Sequence, residues 1–342
     1  MTPRSPARTV LLAALSTVVT VACAAFGSNR VDAQPLQTLD VNVFPAGFNL
    51  PLWVAQDKGF FARNGLEVGL IATPNSVKQM TGLIDGEFDI AMTAIDNVVA
   101  YMEGQGEAPT RSMPDVVAVM GSSSGFLSLI AAPEIKSLAD LRGTALSVDA
   151  MTTGYAFTLR RMLATAGLKD GDYTLSKVGG MKERYEALVE RKQAATLLVP
   201  PFTLAARDRQ FNELATALGL LGHFQGGVAA VRRAWAAAHR DALVGFIRGN
   251  VAALDWLYAL DNRSEALRIF QTHLPGTSLA VAEKSLAVLL HPTGGFPRKA
   301  EVDIDGVKTV MEIRSQYAEP HKALTDAARY FDLTYYRAAL SR

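Results

Sequence analysis

Apolar and polar residues alternate from 39 to 44, and that period of two predicts a β-strand. The next stretch, NLPLWVAQDKGFFARNG, follows a loop at 45–48 and predicts a helix start. Apolar runs at 66–71 and 88–93 predict two more strands, each followed by helical spacing, at 76–84 and 96–103. A polar loop containing Gly and Pro fills 104–114, and the continuous apolar run 116–120 predicts a buried strand. A hydroxyl-rich stretch, Gly121-Ser122-Ser123-Ser124-Gly125, comes next.

A second set of alternating units follows. Ser137 caps a short helical turn at 138–141, 144–148 predicts a strand, and Thr152 or Thr153 caps a helix that Gly167 ends. Strand 174–178, helix 182–191 and strand 195–199 come next; Pro200-Pro201 stops the last strand and admits a helix start. Residues 222–227 make a second glycine-containing crossing. From 232 onward the pattern is almost all helical, over 234–239, 241–260, 264–273, 278–289, 304–316 and 326–330. Within 241–260, Leu243, Phe246, Ile247, Asn250, Val251, Leu254 and Leu257 share one face.

The layout is half a domain, a crossing, a whole domain, a crossing back, and the rest. It predicts an α/β protein of two lobes with a helical C-terminal part. The first lobe takes 38–120 and 228–342, the second 126–221, and hinges fall at 121–125 and 222–227.

Composition narrows the class. The 342 residues are 49% hydrophobic and 20% charged, with a net charge of +1, so no bulk field recruits nucleic acid or an anionic membrane. Residues 1–33 read as a secretory signal: Arg4 and Arg8 precede an apolar run, and Val31-Asp32-Ala33 offers a small-residue cleavage site. The single cysteine, Cys23, lies inside this segment, so the mature chain is expected to hold no disulfide and no thiolate metal site. TVAC at 20–23 partly matches a lipoprotein box, which leaves a lipid anchor at Cys23 as the alternative.

Catalytic motifs are few. The five histidines stand outside zinc-binding spacing, and no P-loop, G-x-G-x-x-G or G-x-S-x-G occurs. Neither a metal nor a cofactor is expected. Binding residues are expected where predicted strands end, outside the carboxyl edge of the sheet, where helix starts offer free backbone N–H groups. In the first lobe these are Phe48, Asn49, Ser76, Thr93, Asp96 and Asn97. In the second they are Thr152, Thr153, Tyr155 and Pro201, and the crossings add Ser122, Ser123 and Gln225. Hydroxyls, amides and aromatics suit a small-molecule pocket with few polar anchors. Asp96, Thr152 and Thr153 also fit as plain helix caps. Trp53 fits lobe core, and Arg184 a solvated or structural charge. With no basic residue at a strand end and Asp96 in the site, the expected ligand is neutral or cationic. A small nitrogen heterocycle whose N–H Asp96 accepts would satisfy it.

The order and spacing of several motifs resemble the solute-binding proteins of ABC importers, in the group serving nitrate, sulfonates, taurine and thiamine precursors. These are PLWVA at 51–55, KGFF at 58–61, GLEV at 65–68, LIDGEFDIA at 83–91, LADLRG at 138–143 and residues 195–202. The resemblance implies a type II periplasmic binding protein fold. It also implies periplasmic capture of a small organic solute by lobe closure, and delivery to ABC permease subunits in the inner membrane by a monomer that binds no nucleic acid. Two alternatives share the fold. One is an enzyme like the fungal-type thiamine-pyrimidine synthases, whose cysteine-rich motif this chain lacks. The other is a secreted ligand sensor that feeds no permease.

Overall fold

The computed structural model describes residues 35–292 and 294–341. The expected signal at 1–33, with Cys23, lies outside the described residues. Ten strands form in chain order: β1 Gln37–Val43, β2 Leu66–Ala72, β3 Ile90–Ala94, β4 Val116–Ser123, β5 Ser128–Ala131, β6 Ala145–Val148, β7 Thr174–Lys177, β8 Ala195–Leu198, β9 Asn212–Thr216 and β10 Gly227–Arg232. They make two five-stranded sheets, ordered β2-β1-β3-β10-β4 and β7-β6-β8-β5-β9.

The βαβ units build the parallel part of each sheet. In the first, β1 pairs with β2 from Gln37↔Leu66 to Val43↔Ala72 and with β3 from Val41↔Ile90. In the second, β6 pairs in parallel with β7 and β8. Each sheet then takes one antiparallel strand out of sequence order. Strand β10 lies between β3 and β4, and β5 between β8 and β9. The chain therefore leaves the first sheet after β4 and returns to it only as β10.

The crossings differ from the sequence expectation. Strand β4 keeps its ladder with β10 as far as Ser123, so residues 121–123 are sheet and not hinge. Three strands escaped prediction: β10, which directly follows the glycine-containing crossing at 222–227, and two others. Strand β5 is four residues long and fully buried, too short to show a period, and β9, NELAT, is a half-exposed edge strand without apolar alternation. The helices over Phe202–Asp208, Ala217–Leu221 and Thr334–Leu340 are also short. Residues 326–330 form a single 3-10 turn, with Asp326 accepting from the Ala328 N–H.

Helix Arg240–Tyr258 presents the predicted apolar face to the core, with Leu243, Phe246 and Ile247 fully buried and Phe246 stacked on Phe61 at 5.4 Å. Trp53, in helix Leu50–Asp57, is buried and stacks on His273 at 4.9 Å, so it is lobe core. The C-terminal segment covers the free edge of β4. The Gly121 N–H donates to Ala300 O at 2.9 Å, and the Asp332 N–H donates to Ala118 O at 2.8 Å. An edge strand paired in this way offers no template to another chain. The approach is tight: a Cβ on Gly121 would stand 2.0 Å from the Glu301 carbonyl oxygen. Gly121→Ala is therefore expected to cost about 1–3 kcal/mol by overpacking, read as a lower urea midpoint with an unchanged slope.

Candidate functional site

The carboxyl ends of β1, β3 and β6 face a common cavity of about 60 Å³. From the first sheet's side come Phe44 and Phe48 after β1, Met92 and Thr93 on β3, Ser76 and Asn97 at helix starts, and Ser122 and Ser123 on β4. From the second come Asp149 after β6, Thr153 and Tyr155 at the start of helix Gly154–Ala164, and Met181 and Arg184 on helix Met181–Val189. Of the residues expected from sequence, Phe48, Ser76, Thr93, Asn97, Ser122, Ser123, Thr153 and Tyr155 line this space.

Five do not line it. Asn49 is buried with its side-chain amide donating to Phe44 O at 2.6 Å, which fixes the loop after β1. Thr152 turns its hydroxyl and N–H to Glu107 Oε2, both at 3.1 Å. Pro201 is buried ahead of helix Phe202–Asp208. Gln225 ties the second crossing, donating to Ser123 O and Gly227 O and accepting from the Asp303 N–H. Asp96, the expected acceptor for a ligand N–H, is spent on a different partner. Its Oδ1 accepts from Arg314 Nε at 2.7 Å and its Oδ2 from Arg314 Nη2 at 2.6 Å.

That pair is fully buried, with side-chain exposures of 0% and 4%. Arg314 also donates to Gln105 Oε1 and to the Thr152 carbonyl, and the Phe157 ring lies 5.0 Å from its guanidinium. Thr152 and Phe157 belong to the segment after β6, so the pair joins the two halves of the molecule. The contact has no slack: a Cβ on Gly154 would lie 2.2 Å from Asp96 Cβ. Truncating one member leaves an uncompensated buried charge. Arg314→Met is expected to lose about 3–5 kcal/mol in chemical denaturation, and Asp96→Asn, which keeps one acceptor, to lose less.

The charged groups that do line the cavity are Asp149 and Arg184, and neither was expected there. Asp149 Oδ2 accepts from the Ser76 hydroxyl and from the Ser76 N–H at 3.3 Å, across the cleft. Its Oδ1 is buried without a hydrogen-bond partner among the described residues. The sequence signal was present, since Asp149 directly follows a predicted strand. Arg184, read from sequence as a solvated or structural charge, is 2% exposed. It donates to Gly180 O, Leu197 O and Met181 Sδ. Burial pushes its guanidinium below its ordinary range, although Asp149 opposes this. Burial also pushes the Tyr155 phenol up to about 12.

A second polar contact closes the cleft mouth. Lys177 Nζ lies 2.7 Å from Glu107 Oε1, on the loop before β4, while Thr152 holds Oε2. Burial raises the Glu107 pKa, but the bonds to Lys177 and Thr152 outweigh it, and the carboxyl sits below its usual range. A depressed folded-state value means the contact's stabilisation is complete above the ordinary value of 4.5 and is lost as pH falls through the lowered one. The expected stability gap between the protein and Glu107→Gln is about 1 kcal/mol at pH 7. It should shrink as urea titrations move below pH 4.5.

Two α/β lobes with a binding cavity at their shared cleft define the type II periplasmic binding protein fold. The profile of the NMT1-like family matches residues 32–271, and the chain belongs to that family. Among solved structures it is similar to the periplasmic nitrate-binding protein NrtA of Synechocystis PCC 6803, with a TM-score of 0.75 and 13% identity over 89% of this chain and 88% of that one. It is also similar to the ligand-binding component of an ABC-type import system from Staphylococcus aureus, solved with zinc bound. That likeness has a TM-score of 0.71 and 14% identity over 89% of this chain and 99% of that one. At such identities the likeness speaks for the fold. YtlA of Bacillus subtilis (strain 168) is 41% identical over 59 residues, and that match spans 17% of this chain and 17% of YtlA.

Proposed function

We propose that the protein is an extracytoplasmic solute receptor that closes its lobes on one small molecule and passes it to the permease of an ABC importer. The observation that carries this reading is the cavity itself. Its walls come from both sheets, and Ser76 of one side reaches Asp149 of the other at its edge. Contacts made to both lobes at once favour the closed state over the open one. Rotation about 124–127 and 222–226 would open the cleft, since sheet membership changes there. Relatives named as binding proteins, one periplasmic and one of an import system, support the same role. Secretion by the segment 1–33, periplasmic action as a monomer, and inner-membrane permease subunits as partners belong to this proposal.

Binding fits the cavity better than catalysis. A tyrosine pushed up to about 12 stays protonated near neutral pH. That suits recognition and not proton transfer. The solute is small, polar, and neutral or cationic, with a nitrogen heterocycle inside that class. The acceptor for its N–H is Asp149, because Asp96 is occupied by Arg314.

Native mass spectrometry of protein purified from its own host is expected to find one retained small molecule per chain. Titration calorimetry with that molecule should then show roughly 5- to 100-fold weaker binding for Ser76→Ala and for Thr153→Val, the range of a lost buried hydrogen bond. Undiminished affinity in both variants would remove this cavity as the binding site.

A further inference from the structure

The acceptor and the cation in the cavity each have bonding capacity that the protein leaves unused. Asp149 is 5% exposed, and its Oδ1 has no hydrogen-bond partner among the described residues. Arg184 is 2% exposed and spends three of its N–H groups on two carbonyls and a thioether sulfur. A guanidinium carries five, so two remain. No carboxylate lies within ion-pair distance of Arg184 among the described residues. Asp149, the carboxylate that shares its cavity, turns one oxygen to Ser76 instead. The remaining walls are aromatic, thioether and hydroxyl groups and carry no net charge. A buried ionic group whose partners are incomplete is costly, and a ligand that completes them recovers that cost.

Resting on the receptor reading above, we infer that the solute is dipolar with no net charge: a donor nitrogen meets Asp149 Oδ1, and an acceptor oxygen in the same small molecule meets the free N–H groups of Arg184. The two halves of an interrupted ion pair are thereby both satisfied. A ligand of one sign satisfies only half of this. A simple monoanion pairs with Arg184 but meets Asp149 with repulsion, and a simple monocation does the reverse. Phe44, Phe48, Met92 and Met181 then hold the apolar middle of the ligand. The cavity, about 60 Å³, favours a small ligand. Two sources share this chemistry. One is a ring amide or urea, whose N–H and C=O are neutral; the other is a zwitterion, whose ends carry full charges.

The test is a charge-class panel on the full chain, freed of retained solute by unfolding and refolding. Four probes of similar size are compared by calorimetry and thermal shift: 2-imidazolidinone, β-alanine, propionate and propylammonium. One of the first two is expected to bind at least 30-fold tighter than either singly charged probe. The winner separates the neutral from the zwitterionic source. Asp149→Asn, which is isosteric, should reduce that preference at least tenfold relative to propionate, and Arg184→Gln should do so relative to propylammonium. If propionate or propylammonium binds as tightly as the dipolar probes, the dipolar assignment is overturned while the receptor reading stands. If none of the four raises the melting temperature at millimolar concentration, the dipolar assignment fails as well. The receptor reading is decided separately, by the molecule retained from the host.

Discussion

Arg314 is the largest fully buried side chain in the described structure, and four residues from two stretches of chain converge on it. It pairs with Asp96 at the start of one helix, reaches Gln105 beyond that helix's end, holds the Thr152 carbonyl, and lies against Phe157. The first two belong to the lobe built on the first sheet, and the last two to the second. A buried guanidinium is tolerable only when its charge and its donors are answered. Here the answer requires the start of helix Gly154–Ala164 to dock against Asp96. Gly154 has no side chain because none would fit. The position of Thr153 and Tyr155 on the cavity wall follows from that docking.

The same interaction decides the electrostatics of the cleft. With Asp96 neutralised by Arg314, the charge presented to a solute comes from Asp149 and Arg184. The first is fixed by the Ser76 helix start and the second by backbone carbonyls on its own lobe. Two carboxylates therefore divide the work. One is committed to the pair with Arg314, and the other has an oxygen without a hydrogen-bond partner among the described residues. Sequence spacing could not tell them apart, since each stands where a strand gives way to a helix.

The βαβ order, the sheet membership of most strands and the helical C-terminal part were legible in the pattern, because burial imposes a period of two on β1 and of 3.6 on helix Arg240–Tyr258. Strands β5, β9 and β10 were not: β9 is a half-exposed edge strand without apolar alternation, and β5 and β10 directly follow the two glycine-containing crossings. Strand ends named six residues that line the cavity and the first crossing named Ser122 and Ser123, for a local reason: in a parallel sheet the carboxyl edge is where loops can face a ligand. The largest miss was non-local. Arg314 lies 218 residues from Asp96, and nothing near either announces the pair. Arg184, beside Lys182 and Glu183, could be read from sequence as a solvated or as a structural charge. One turn into its helix, however, it points back to Gly180 O and across to Leu197 O.

Closure can be argued from which contacts need a solute. Arg314 to Thr152, Glu107 to Lys177 and Thr152, and Arg160 over the Tyr317 ring at 4.6 Å all cross between the lobes without touching the cavity. They stabilise the closed arrangement whether or not a ligand is present, so a ligand has only to supply the difference between closed and open states. Too many such contacts would hold the cleft shut and slow entry; too few would leave the solute to bear the whole cost of closing. Glu107, partly exposed at the rim, is the weakest of them and the first to let go in acid. On the receptor proposal, entry should therefore begin at the Glu107 side of the cleft, where rotation about 124–127 and 222–226 would swing Ser76 away from Asp149.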